Sequence, residues 1–181
     1  MKRILGMTFA ALLFVSPAMA GIGEGDSEIG FDFGQTAYDD NVMDEKGTAF
    51  AIRGGHFLTP MFEVEGQYLN SSEETSILGT NVDTTMQLLM VNGLFNFHPR
   101  EDIVPYVLVG LGRASLDVNV AGISFDDDSI AYQFGGGSRF YFGESKRAAF
   151  RFDVTFVNED TFNQSSTHTN VTGGFTWKLG R

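Results

Sequence analysis

The stretch Ala148-Ala149-Phe150-Arg151-Phe152-Asp153-Val154-Thr155-Phe156-Val157 sets Phe150, Phe152, Val154 and Phe156 on one side of an extended chain and Arg151, Asp153 and Thr155 on the other. Successive side chains of a strand point to opposite faces, so this is a strand whose two faces meet different solvents. The same period recurs on both sides of it. Downstream, Val171, Phe175, Trp177 and Leu179 alternate with Thr172, Gly174, Thr176 and Lys178. Upstream, Ser129 to Phe142 places Ile130, Tyr132, Phe134, Phe140 and Phe142 opposite Gln133, Gly135, Gly137 and Arg139. Further back, Phe62, Val64 and Tyr68 oppose Glu63, Glu65 and Gln67; Phe50 and Ile52 oppose Ala51, Arg53 and Gly55; Ile29, Phe31 and Phe33 oppose Gly30, Asp32 and Gly34.

Two further segments complete the set. Between Thr84 and Phe97, Leu89, Val91, Phe95 and Phe97 share a face against Asn92 and Asn96. Between Tyr106 and Leu116 both faces are apolar or glycine, which leaves open the register of that strand and the side on which Arg113 falls. Eight strands are thus expected. The stretches between them alternate in length: long at Tyr38–Gly47, Asn70–Asp83, Asp117–Asp128 and Asn158–Thr169, short around Thr59-Pro60, His98 to Pro105 and Gly143 to Arg147. Long loops on one side and tight turns on the other are the habit of a membrane barrel, and an even strand number puts both termini on the short-turn, periplasmic side.

Composition bounds the alternatives. The 181 residues include 18 Phe and 22 Gly, no Cys, and a formal charge of −11. Lys2 and Arg3, the apolar stretch Ile4 to Val15, and Pro17 before Ala18-Met19-Ala20 form a signal peptide cleaved after Ala20, too short to span about 30 Å of hydrocarbon as a helix. Residues 21–181 then form the barrel domain, which has lost two basic residues and no acid and carries 10 − 23 = −13. Such a chain is a poor partner for nucleic acid, which needs a basic face. Without disulfides, an exported domain must hold itself together by backbone pairing and packing. No segment of residues 21–181 approaches the roughly 18 consecutive apolar residues of a membrane helix, so any crossing uses strands.

Alternation alone does not say which face is outside. Three features put the apolar face toward lipid. It is dominated by Phe, Tyr and Trp, too bulky for the narrow lumen of a small barrel. The opposite face mixes glycine with charge. That charge balances: Asp32, Glu63, Glu65 and Asp153 stand against Arg53, Arg139, Arg151 and Lys178. An enclosed lumen demands such a balance, because an unpaired buried charge costs several kcal/mol. In lipid an open sheet edge is excluded, so the first and last strands must pair. The expected fold is all-β: a closed antiparallel eight-stranded up-and-down transmembrane β-barrel.

With these strands in hand, the chain resembles the small eight-stranded outer-membrane barrel family, of the OmpA/OmpX kind, from about residue 25 to residue 181. The resemblance rests on the signal peptide, the Phe/Gly strands, Tyr106-Val107-Leu108-Val109-Gly110-Leu111-Gly112 and the closing Gly174-Phe175-Thr176-Trp177-Lys178-Leu179. It implies residence in a bacterial outer membrane, contact with its lipid and lipopolysaccharide, insertion by the outer-membrane assembly machinery, and a role among structural barrels, adhesins, surface-protection proteins and minor channels. One departure stands out: the family usually ends in an aromatic residue that resembles part of the assembly signal, whereas this chain ends Leu179-Gly180-Arg181.

Chemistry is sparse. Nucleophilic catalysis needs a Ser beside a His that an acid orients. Of His56, His98 and His168, only His168 has hydroxyls around it, in Ser165-Ser166-Thr167, with Glu159 and Asp160 as possible acids; it reads as part of a solvated loop. The long segments hold thirteen of the 23 acids and one basic residue, Lys46. Within them Asp126, Asp127 and Asp128 are weak candidates for a divalent cation, since no EF-hand spacing accompanies them. The expectation is a monomeric barrel, without cofactor or catalysis, whose outer loops carry any specific interaction. A narrow channel for small solutes is the second reading and a lipid A-modifying enzyme the third.

Overall fold

The computed structural model describes residues 22–38, 46–77, 80–120, 123–161 and 164–179. The expected signal peptide, with its cleavage site after Ala20, lies outside the described residues, as do Gly180 and Arg181. Eight strands follow one another: β1 Ser27–Tyr38, β2 Lys46–Phe57, β3 Phe62–Ile77, β4 Thr80–Asn96, β5 Ile103–Val120, β6 Ile123–Phe142, β7 Ala148–Thr161 and β8 Gln164–Lys178. Each pairs antiparallel with the next, and β1 closes on β8 from Glu28↔Lys178 to Tyr38↔His168.

The register fixes the shape. Following paired residues around the wall, Ser27 leads to His56, Val64, Gly93, Val109, Phe134, Phe156 and Thr169, and returns to β1 at Ala37, ten residues further on. Eight strands with that stagger tilt by about 40° and enclose a cylinder about 16 Å across between backbones, a width that side chains fill.

The outer surface is the apolar one. Phe33, Leu89, Val109, Leu111, Ile130, Tyr132 and Phe150 are each 60% or more exposed. An apolar surface of this extent, continuous around the wall, is stable only against lipid. Aromatic rings gather at both edges of the band. Phe62–Phe95–Phe97 and Phe142–Phe150–Phe175–Trp177 contact one another at the short-turn end, while Phe33–Phe50 and Phe134–Phe156 lie toward the other. These are the girdles expected where headgroups meet hydrocarbon.

The strand left without a register is resolved. Tyr106, Leu108, Gly110, Gly112 and Ala114 face inward, and Val107, Val109, Leu111 and Arg113 face outward. Outward Arg113 sits just beyond Leu111 and directly across from Ile130, at the upper margin of the apolar band.

Three of the expected long loops are for the most part strand. The ladders of β3 with β4, β5 with β6 and β7 with β8 run on to Ile77↔Thr80, Val120↔Ile123 and Thr161↔Gln164. On the lipid-facing parity the apolar residues end where lipid ends, but backbone pairing does not, so the sequence pattern marked the membrane boundary and missed the strand ends. At roughly 2.5 Å of axial rise per tilted residue, the 16 to 20 residues of β3–β6 reach roughly 40–50 Å, against an apolar band of about 25 Å. The hairpins therefore project as a wall beyond the band.

Inside, tight curvature requires bare backbone at particular points. A Cβ on Gly174 would lie 2.1 Å from the Phe31 carbonyl oxygen and 2.5 Å from Asp32 Oδ1, at the β1–β8 seam. Gly174→Val is expected to block closure, seen as loss of the heat-modifiable gel shift of the folded barrel in detergent; Gly173→Val, on the outward face, is expected to retain that shift.

Candidate functional site

The lumen is built in layers. At the short-turn end Ile22, Phe57, Val104, Tyr141 and Ala149 form an apolar plug. The segment before β1 supplies Ile22 and is tied beneath the barrel by Ile22 N–H to the Pro99 carbonyl at 2.9 Å and Gly25 N–H to the Phe57 carbonyl at 2.8 Å.

Above the plug lies a charge layer organised by Tyr106. Its ring is held between the guanidiniums of Arg139 and Arg151, 4.7 and 4.8 Å from the ring centroid, and its hydroxyl donates to Asp153 Oδ1. Gly137 makes room for the ring, since a Cβ there would lie 2.5 Å from the Tyr106 hydroxyl. Arg139 donates through Nε to Glu28 Oε1 at 3.0 Å, through Nη1 to Asn96 Oδ1 at 2.8 Å and through Nη2 to Glu63 Oε2 at 2.7 Å. Arg151 donates to both carboxylate oxygens of Glu65 and, through Nε, to Asp153 Oδ2 at 2.9 Å. Arg53 donates to Asp32 Oδ2 and lies 3.3 Å from Asp153 Oδ2. The planar fork of arginine suits this role, engaging two or three acceptors from one rigid group.

Next comes an amide layer. Gln133 Nε2 donates to Gln67 Oε1 at 2.9 Å and to Asn92 Oδ1, and Asn92 Nδ2 donates to Glu65 Oε1 and Gln67 Oε1, both at 3.2 Å. Beyond it the lumen turns apolar again, with Ala51, Leu69, Met86, Leu88, Met90, Ala114, Ala131 and Val157 packed together. Beside this layer Thr36 Oγ1 donates to Asn170 Oδ1 at 2.6 Å, and His168 Nε2 pairs with Glu159 Oε1 at 2.7 Å.

All eight residues expected in the lumen charge set, Asp32, Arg53, Glu63, Glu65, Arg139, Arg151, Asp153 and Lys178, are buried and inward. Seven share the charge layer; Lys178 sits at its lower margin, its ammonium 4.7 Å from the centre of the Tyr141 ring. The expected neutrality does not hold. Glu28 and Glu159 are also buried and inward, giving six carboxylates against three arginines, one lysine and His168 among the described residues. Glu28 has inward parity but precedes the first apolar residue of β1, so the hydrophobic pattern gave no reason to count it. His168 is likewise not in a solvated loop, because β8 extends past it and turns it inward against Glu159. The apolar upper layer was legible only as parity in β4 and β5, where inward Met86, Leu88, Met90, Leu94 and Leu108 blur the alternation.

Asp126, Asp127 and Asp128 lie in β6, opposite Asp117, Leu116 and Ser115. Strand alternation sends Asp127 to the face opposite Asp126 and Asp128, so the three do not converge as a ligand set. Asp128 instead pairs with Arg113 at 2.5 Å on the exposed outer surface. Among the described residues, the carboxylates close enough to share an ion are Glu28, Glu63 and Glu65, in the lumen.

Removing one member of a buried, hydrogen-bonded ion cluster strands its partners. Arg139→Ala is therefore expected to cost roughly 3–5 kcal/mol in urea unfolding of the detergent-solubilised barrel. Arg113→Ala, which breaks a solvent-exposed pair, is expected to leave the midpoint unchanged within error.

Comparisons with known proteins agree with this architecture. A search of curated proteins returned no significant match. Among solved structures the chain is similar to Neisserial surface protein A, at 13% identity over 86% of this chain and 100% of that one, with a TM-score of 0.73. It is similar to OprG of Pseudomonas aeruginosa at 14% identity, covering 91% and 100%, with a TM-score of 0.60. The attachment invasion locus protein Ail of Yersinia pestis follows at 14% identity, covering 85% and 99%, with a TM-score of 0.58. The model of the outer membrane protein beta-barrel domain matches residues 7–178, and the chain, an eight-stranded barrel of the bacterial outer membrane, belongs to that family.

Proposed function

We propose that this protein is a plugged outer-membrane barrel that presents its projecting β-wall and hairpin ends to the exterior, and that neither conduction nor catalysis is its task. The supporting observation is the packing of the lumen. Phe57, Leu69, Met86, Leu88, Met90, Val104, Arg139 and Val157 are all 2% exposed or less, in layers stacked along the barrel axis. Water-filled conduction needs a continuous polar path, and the two apolar layers interrupt one. The Glu159–His168 pair reads on this view as a buried tie between β7 and β8 that seats the upper wall.

Orientation follows from strand length. The extended hairpins face outward and both termini lie in the periplasm, as in barrels with short periplasmic turns. The outer wall is acidic: Asp117, Asp126 and Asp128 share the outward face of β5–β6, with Arg113 below them. Ail has been crystallised with the heparin analogue sucrose octasulfate, but a wall of this charge repels polyanions. Its partners are instead cationic surfaces, or lipopolysaccharide phosphates bridged by divalent ions. The barrel acts as a monomer, delivered by the outer-membrane assembly machinery.

In planar bilayers the purified protein is expected to give no reproducible unitary conductance; stable steps, abolished by enlarging an inward residue such as Ala131→Phe, would replace this reading with the narrow channel. The chain has no cysteine, which makes topology directly readable. Asp126→Cys is expected to react with an impermeant maleimide on intact cells and Ser145→Cys only after lysis. The reverse pattern would invert the barrel.

A further inference from the structure

The charge layer holds five carboxylates, from Glu28, Asp32, Glu63, Glu65 and Asp153, around three guanidiniums. It therefore carries two surplus negative charges in a space closed below by the apolar plug. Lys178, at the margin, lies under the field of Asp26 as well as Glu28. The surplus is not spread evenly. Both oxygens of Glu65 and both of Asp153 accept hydrogen bonds from arginine, Tyr106 or Asn92. Glu28 and Glu63, each 3% exposed or less, are anchored to Arg139 Nη2 by one oxygen apiece, at 2.8 and 2.7 Å. Their other oxygens, Glu28 Oε2 and Glu63 Oε1, accept no hydrogen bond among the described residues; Asp32 Oδ1 shares that state but lies apart from them, against Gly174 at the β1–β8 seam. Strand β2 leaves its backbone bare beside them: a Cβ on Gly55 would lie 2.1 Å from Glu63 Oε1 and 3.2 Å from Glu28 Cγ. Glu65 closes the group, with ligand atoms of the three glutamates within 4.8 Å of one another.

We propose that Glu28 and Glu63, backed by Glu65, bind one divalent cation of the calcium type inside the lumen. The charge of such an ion offsets the excess of the five carboxylates over the three guanidiniums. The donors are hard carboxylate oxygens, and the three glutamates offer neither the imidazole nor the thiolate that softer metals favour. The irregular arrangement of these oxygens suits calcium, which accepts flexible geometry, better than magnesium, which demands a near-ideal octahedron. Thr176 Oγ1, and Tyr141 Oη from the plug below, are also buried without hydrogen-bond partners among the described residues and add neutral oxygens for the ion's water shell. Arg139 binds the opposite edges of the same carboxylates, so each glutamate bridges the guanidinium and the ion. The site ties β1 to β3 across the lumen, and its occupation stabilises only the closed barrel, because the unfolded chain does not assemble it.

The test is refolding from urea into detergent with calcium, with magnesium or with EDTA, followed by desalting and elemental analysis. Refolding in calcium is expected to trap about one ion per chain, to raise the urea midpoint over the EDTA-refolded barrel, and to give tyrosine-sensitised emission when terbium replaces calcium. Glu63→Gln is expected to remove the bound ion and the calcium-dependent shift, while Asp126→Asn in the outer wall keeps both. If Glu63→Gln does not refold, the wild-type comparison of calcium against EDTA decides. A wild-type barrel free of stoichiometric calcium, with a midpoint indifferent to it, overturns the proposal in favour of a proton neutralising one carboxyl. Calcium lost with Asp126→Asn but kept in Glu63→Gln overturns it in favour of the outer wall.

Discussion

The ladder between β1 and β8 is the constraint from which the rest of the barrel follows. In hydrocarbon, no water is available to an unpaired N–H or C=O, so a spanning sheet survives only if its first and last strands meet. Their meeting at Glu28↔Lys178 through Tyr38↔His168 sets the ten-residue stagger, and the stagger sets tilt and radius. A cylinder of that radius has room for side chains and little else. Inward positions are therefore bare, as at Gly174 and Gly137, or filled by side chains packed against one another.

That packing explains the order of the layers. A guanidinium confined to the lumen must find carboxylates, and flat partners are the densest way to bring them together. Tyr106 serves between Arg139 and Arg151 as spacer, cation–π partner and hydrogen-bond donor at once. The amides of Gln67, Asn92 and Gln133 then step the polarity down from charge to neutral hydrogen bonds, and the methionine and leucine layer above needs none. Polarity falls from the charge layer to the methionine and leucine layer, and the pairs Thr36–Asn170 and Glu159–His168 beside that layer satisfy one another, while on the outer surface polarity rises past Arg113.

The fold was legible in the sequence to the extent that lipid wrote it there. Residues such as Phe150, Phe152 and Phe156 face hydrocarbon, and a shift of one position would bury them and expose Arg151. The strand count, the inverted faces and the lumen charge set follow from that. What lipid does not touch was not legible. The ladder past Asn70 carries no apolar period, and past Asp117 the period of Leu116, Val118 and Val120 falls on the parity opposite to that of Val107, Val109 and Leu111, so both read as loops. Glu28 stands one residue before the pattern begins and passed uncounted, and with it the charge excess. The pairing of Tyr106 with residues far away in the chain is a property of the register, which no single strand records.

The arrangement also separates the lower lumen from the outer wall. Buried ion clusters are poor sources of net stability and good enforcers of one geometry, because any alternative leaves a charge without its partner. In this molecule that enforcement lies in the lower lumen, far from the projecting hairpins. The wall of β3–β6 needs only backbone pairing and a light apolar filling, so its outward residues are under no packing demand. Asp117, Asp126 and Asp128 can sit on one face, and Asp117 opposite Asp126, despite mutual repulsion, because stability is secured elsewhere. Side chains without packing duty are the ones open to partners under the proposed function, and on β5–β6 they are the acidic ones facing out.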